Sequence, residues 1–158
     1  MSSVITDELA AHFEGGVSVL VGTRDATLRP TALRGAGARM SADRTQIHLF
    51  IPVATGARTI ANARDNGRIA VTFSRPSDYR SIQVKGRCVD IHDTPPEERA
   101  WVERYRRDFG DDLAFVGIAR GISARLTVWP SVTITMTIES MFDQAPGPNA
   151  GKPYEAPR

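Results

Sequence analysis

Several things are nearly absent from this sequence, and each absence removes a class of protein. One residue of 158 is a cysteine, Cys88, which excludes an internal disulfide and a cysteine-rich zinc site and suits a reducing compartment. No apolar run approaches the roughly 18 residues of a membrane span, and the N-terminus is too polar for a secretory signal, so the expected location is the cytoplasm, away from any membrane. Charge of one sign is also lacking. Twenty Lys+Arg stand against eighteen Asp+Glu for a net +2, with nine basic and seven acidic side chains in residues 1–79 and eleven of each in 80–158. Without a basic tail or arm, a nucleic-acid partner is not expected. His12, His48 and His92 stand at no metal-ligand spacing and read as ordinary surface or strand residues, and no Gly-x-Ser-x-Gly elbow suggests a hydrolase. Lysine is scarce as well: only Lys85 and Lys152 occur, and the other eighteen cations are arginines, whose planar fork suits phosphate and carboxylate.

What is present fits one compact domain, with 41% hydrophobic and 24% charged residues. That domain is expected over residues 1–144. The tail, 145–158, carries Pro146, Gly147, Pro148, Gly151, Pro153 and Pro157 and should build no core element, staying loose or draping over a partner.

Along the chain, Thr6 caps a short helix carrying Leu9 and Phe13 on one face and stopping at Gly15-Gly16. Val17 to Thr23 reads as a strand, turns at Arg24–Thr27, and pairs with a second strand from Pro30 to Ser41. A third runs from Gln46 to Val53, with Ile47, Leu49 and Ile51 alternating against Gln46, His48 and Phe50. Thr55 then caps a helix ending at Asn66-Gly67. Arg68–Ser74 and Tyr79–Ile91 are two further strands, broken at Arg75–Asp78. Asp93 or Thr94 starts a helix with Trp101, Tyr105 and Phe109 as an aromatic stripe, and Gly110-Asp111-Asp112 separates it from a second helical stretch, Leu113 to Leu126. On the first of these helices, Arg99 with Glu103, and Glu103 with Arg107, read as solvated ion pairs. Val132 to Ile138 alternates with Thr133, Thr135 and Thr137 as a sixth strand, an exposed edge unless a second subunit covers it. The expected class is mainly β with helices (α+β), a six-stranded antiparallel barrel with flanking helices.

The candidate binding residues fall in three places. On the fifth strand Ser81, Gln83 and Lys85 share one face, while Ile82, Val84, Gly86 and Cys88 share the other, with Cys88 a buried inert thiol. Such a row suits a polar, planar ligand, although a solvent-facing strand carries similar residues. Arg58 and Thr59 are expected in the first turn of their helix, where free amides favour an anion; a solvated arginine is the plainer reading. Arg34, with Gly35 and Gly37 beside it, sits where a ligand could approach the backbone, or where the strand simply bulges.

Four stretches together resemble the pyridoxamine 5′-phosphate oxidase-like family of FMN-binding split barrels: Gly16–Thr23, then Arg29-Pro30, then Gly56-Ala57-Arg58-Thr59-Ile60-Ala61-Asn62, then Tyr79–Gly86. The resemblance implies a six-stranded split barrel that dimerises with FMN between its subunits. It also implies phosphate contacts at Arg58 and Thr59, ring or ribityl contacts at Ser81, Gln83 and Lys85, and a further contact from Arg34 and Gly35. Lys85 would favour the reduced, anionic ring. The oxidases proper carry Arg followed by Lys where this chain has Arg58-Thr59, so one positive charge is missing. Their substrate arginines are not found in Phe142–Pro148. The implied function is an FMN-dependent oxidoreductase acting on an unidentified small molecule, with no protein acid or base assigned. The alternative is a non-catalytic split barrel that holds flavin, haem or a deazaflavin.

Overall fold

The computed structural model describes residues 5–155. Helix α1 (Asp7–Glu14) starts at Thr6, whose hydroxyl accepts the Leu9 amide at 3.2 Å, and buries Leu9 and Phe13. Eight strands follow where six were expected. They are β1 (Ser18–Arg24), β2 (Pro30–Arg34), β3 (Ala38–Met40), β4 (Gln46–Pro52), β5 (Arg68–Ser74), β6 (Ser81–Asp93), β7 (Ser131–Thr137) and β8 (Ser140–Asp143).

The extra count has two sources. The expected second strand is split at Gly35–Gly37: Gly35 still pairs with Val19 of β1, whereas Ala36 and Gly37 already pair with Phe50 of β4. Gly37 sits at φ 101°, and a Cβ there would meet the Tyr105 ring at 2.7 Å, so only glycine turns the chain at this point. The second source is β8, four residues that pair with Ile82–Lys85 of β6.

All neighbouring strands are antiparallel, in the order β2-β1-β5-β6-β7-β4-β3, with β8 beside β6. Long β6 belongs to two sheets. Its first half lies between β5 and β8, and beyond a bulge at Cys88/Asp90 its second half pairs with β7. Gly86 stands at this changeover, where an added Cβ would fall 1.7 Å from the Thr137 carbonyl oxygen. The β2-to-β3 passage forms the opposite seam, and between the two seams the sheets enclose Val19, Val21, Leu49, Ile51, Val71, Phe73, Val84 and Ile134.

Helix α2 (Val53–Asn66) lies across β1, β2 and β4 and ends on Gly67, left-handed at φ 69°. It begins at Val53 behind Pro52, two residues before the expected cap Thr55, because the extended backbone of Pro52 already leads into the helix. Helix α3 (Arg99–Phe115), entered through a 3-10 turn at Pro96–Glu98, runs straight through Gly110-Asp111-Asp112. Of the expected second helix only α4 (Arg120–Ser123) forms. Within α3 the ion pairs are Arg106–Glu103 at 2.6 Å and Arg104–Asp108 at 3.8 Å, not those expected of Arg99 and Arg107.

The threonine-rich strand β7 is an interior strand, buried within its own chain between β6 and β4. Thr133 hydrogen-bonds Thr94 at 2.9 Å and Thr135 hydrogen-bonds His48 at 2.9 Å, so no second subunit is needed to cover it. After β8 the chain turns back on itself: the Tyr154 amide donates to Met141, Phe142 bridges Pro153, and the Tyr154 side chain packs on the core. The expected looseness of the tail thus does not extend to residues 145–154. No helix among the described residues is long and apolar enough to cross a membrane.

Candidate functional site

Strand pairing puts the side chains of Arg34, Leu20, Thr72, Gln83 and Phe142 in one row across β2, β1, β5, β6 and β8. The next row reads Ala32, Gly22, Ala70, Lys85 and Ser140. Alternate residues point into the core, so both rows lie on the outer face of this sheet. Leu20 in mid-sheet remains 44% exposed, and its neighbours along the same face of β1, Ser18 and Gly22, are small, leaving a shallow face of mixed apolar and hydrogen-bonding groups.

On this face the side chain of Gln83 donates one N–H to Thr72 Oγ1 at a long 3.4 Å. Its second N–H and its carbonyl oxygen remain available. Lys85 is exposed, with its ammonium 4.8 Å from the centre of the Phe142 ring and no carboxylate partner among the described residues. Ser81 is more enclosed and shares a 2.7 Å hydrogen bond with Ser74 Oγ. Arg34 lies at the other end of the row, bonded to Ser18 Oγ at 2.8 Å, its guanidinium 5.3 Å from the Phe109 ring centre. Gly35 is in the seam, where its missing Cβ makes room for Val19 at 3.1 Å; the close approach there is by the barrel itself.

Two concavities touch these residues. One, of about 580 Å³, is lined by Gly22, Arg24, Arg68, Ala70, Lys85 and Glu139. The other, of about 420 Å³, is lined by Arg34, Gly35, Thr55, Tyr105, Arg125 and Thr127. Arg24, Arg125, Leu20, Thr72 and Phe142 were not singled out from sequence. Only pairing register reveals the last three, and Phe142 sits on a strand too short to show a period.

Because α2 starts early, Arg58 and Thr59 occupy its second turn, beyond the free amides of the first, which corrects the expected placement. They also diverge. Arg58 is exposed near the β1–β2 turn, where Asp25, held below the usual carboxylate range by the Thr27 hydroxyl, also feels its charge. Thr59 faces inward at 0% exposure, the one buried hydroxyl among the described residues with no hydrogen-bond partner. Arg58 thus offers an exposed guanidinium for a phosphate, and the unspent amide of Gln83 with the cation of Lys85 offers the groups a flavin's pyrimidine edge requires, while Thr59, buried and turned away from Arg58, stands apart from both.

Two other sequence expectations change. His12 is buried rather than on the surface, at 3% exposure. Cys88 is half-buried, its thiol pushed up by burial and so kept protonated.

Neither a protein-family model nor a curated protein sequence matches the chain. Solved structures do. HupZ from Group A Streptococcus is similar at 20% identity and a TM-score of 0.58, over 94% of this chain and all of that one (100%). A protein from Lactobacillus delbrueckii provisionally named a pyridoxamine 5′-phosphate oxidase is similar at 13% identity and TM-score 0.56, over 90% of this chain and 95% of that one. An FMN-binding protein from Syntrophomonas wolfei follows at 13% and 0.53, over 86% and 84%. The alternating bare face, the two seams and these likenesses lead to one statement of kind: the chain has the fold of the pyridoxamine 5′-phosphate oxidase-like split barrels.

Proposed function

We propose that this chain binds FMN on the outer face of β1, β5, β6 and β8 and works as a flavin-dependent oxidoreductase on a small-molecule substrate, as a homodimer whose second copy closes the site. One observation carries the reading: a mid-sheet face, bare in the monomer, aligns Gln83, Thr72 and Lys85 beside exposed Leu20 and half-buried Phe142. Apolar area there would receive the ring, and the Gln83 amide offers both a donor and an acceptor to its edge. Arg58 would neutralise the phosphate, and would do so without Thr59, which is turned inward and fully buried. Arg34, Gly35 and Ser81 would border the site. When bound, the flavin supplies the electron transfer, and the protein orients it and excludes water.

A deazaflavin is the second reading. It is favoured by a likeness to an F420 reductase, at TM-score 0.52 and 14% identity over 83% of this chain and 93% of that one, and by the uncharged Thr59. An absorbance spectrum of the purified protein, with mass analysis of what heat releases, tests both. A flavin band with the FMN mass supports the first reading, and a deazaflavin mass the second. A Soret band, or a colourless protein that takes up no added FMN, overturns the first. Failure of NADH and NADPH to reduce bound flavin would leave binding without turnover.

A further inference from the structure

The bare face continues past the row of Gly22, Ala70 and Lys85. The next outward positions on β1, β5 and β6 are Arg24, Arg68 and Arg87, three guanidiniums from three strands that lie side by side in the sheet. Arg68 and Arg87 are direct cross-strand partners. Arg24, Arg68 and Lys85 together line the concavity of about 580 Å³, whose floor between them is the small residues Gly22 and Ala70.

Like charges directly opposite one another weaken a sheet unless something offsets them. Among the described residues only Glu139 does so, and loosely: one carboxylate oxygen stands 3.9 Å from Arg68 and the other 3.3 Å from Arg87. Arg24 donates to the Asp25 carbonyl oxygen at 3.1 Å and, like Lys85, stands in no ion pair among the described residues. Four cations therefore share one carboxylate. Elsewhere the surface pairs its charges singly, Arg44 with Asp7, Arg75 with Asp78, Arg80 with Glu8 and Arg120 with Asp111, and the whole chain carries only +2, so the surplus is local to this shelf. The groups are also open to a ligand: the side chains of Arg68 and Arg87 are 51% and 49% exposed, and Lys85 is exposed.

Spacing narrows the class of anion. Adjacent strands lie about 4.8 Å apart and successive outward residues about 6.6 Å apart, so the cations are rooted over a patch wider than one tetrahedral anion and suited to two that are joined. Guanidiniums fork onto phosphate oxygens, and an ammonium adds a point charge.

We propose that this shelf binds a diphosphate group, spread over Arg24, Arg68, Arg87 and Lys85, which displaces Glu139 as their counter-ion. The inference does not rest on the flavin reading. FMN has a single phosphate, assigned above to Arg58, and Arg87 lies about 13 Å along β6 from Gln83.

The full chain is titrated with inorganic pyrophosphate, and at matched ionic strength with inorganic phosphate and with sulfate, by calorimetry and by NMR of the arginine Nε–H groups. Pyrophosphate should bind saturably and shift the signals of Arg68 and Arg87, and both single anions should bind more weakly. Arg68→Gln and Arg87→Gln should each weaken pyrophosphate by about threefold to tenfold, the value of one charge-assisted contact. Glu139→Gln should act in the opposite direction and tighten it by a similar factor, an effect that damage to the fold would not produce. A repeat with FMN added separates the two sites, since pyrophosphate should bind as before and release no flavin. The proposal is overturned by any of four results: no saturable binding at concentrations on the order of 10 mM, sulfate binding as tightly as pyrophosphate, affinity indifferent to all three variants, or competition between pyrophosphate and FMN.

Discussion

The two sheets that β6 joins use their outer faces differently. Where β6 lies between β5 and β8, its outward residues Gln83 and Lys85 face a bare sheet; past Gly86 it passes, itself largely exposed, into the sheet of β7, β4 and β3, where α3 roofs Phe50 of β4 and donates the Trp101 indole N–H to the Ala38 carbonyl of β3. Under that roof Phe50, Ala36, Val102 and Val128 form a second small core, and beside it Thr133 and Thr135 of β7 are buried as well. One sheet thus spends its outer face on stability. The other leaves its face free for a ligand, and a polar ladder with an exposed leucine in mid-sheet marks that freedom.

The contrast can be broken at several points. The largest effect should come from the seam: Gly86→Val drives a side chain into the Thr137 carbonyl and should cost about 4 kcal/mol or more, read by urea denaturation. On the roofed face, Phe50→Ala should cost about 3–5 kcal/mol by the same measurement. Protonation gives the next effect. The His12 pKa is near 4 in the folded chain against an ordinary value of 6.5, so the unfolded chain binds the proton more tightly. The stability it contributes is complete above pH 6.5 and is lost as pH falls from 6.5 to 4, by about 2–3 kcal/mol. Chemical denaturation across that window should show this slope, and His12→Phe should remove it. Arg58→Ala should weaken FMN by about 1.5–3 kcal/mol in a fluorescence titration while leaving the unfolding midpoint in place. The smallest effect should be Leu20→Ala on the bare face, within about 0.5 kcal/mol of wild-type stability. A large loss there would mean that this face is packed after all.

Much of the barrel was legible because its strands alternate and its turns are marked. Thr6, Gly67 and the Arg75–Asp78 break all act as their residue types predict. The misreadings share a cause, which is tertiary context overriding local pattern. Gly110 reads as a helix stop, yet a Cβ there would meet Ser123 Oγ at 2.6 Å; the glycine serves a close contact inside a continuous helix. Strand β8 has four residues, too few for a period, and β7 looks like an edge because sequence cannot show that β4 and β6 flank it. Of the candidate site, the parity of Ser81, Gln83 and Lys85 was readable from β6 alone. Leu20, Thr72 and Phe142 join them only through pairing register, and the placement of Arg58 and Thr59 beyond the first turn follows from a helix cap that lies at Pro52, three residues before Thr55.

The most direct test of the bare-face claim is an NMR titration of the full chain with FMN. The Gln83 side-chain amide and the Leu20 methyl groups should shift and saturate together, while Phe50 and the indole of Trp101 on α3 stay in place. Shifts confined to the roofed face, or saturable FMN binding that leaves Gln83 and Leu20 unmoved, would contradict it.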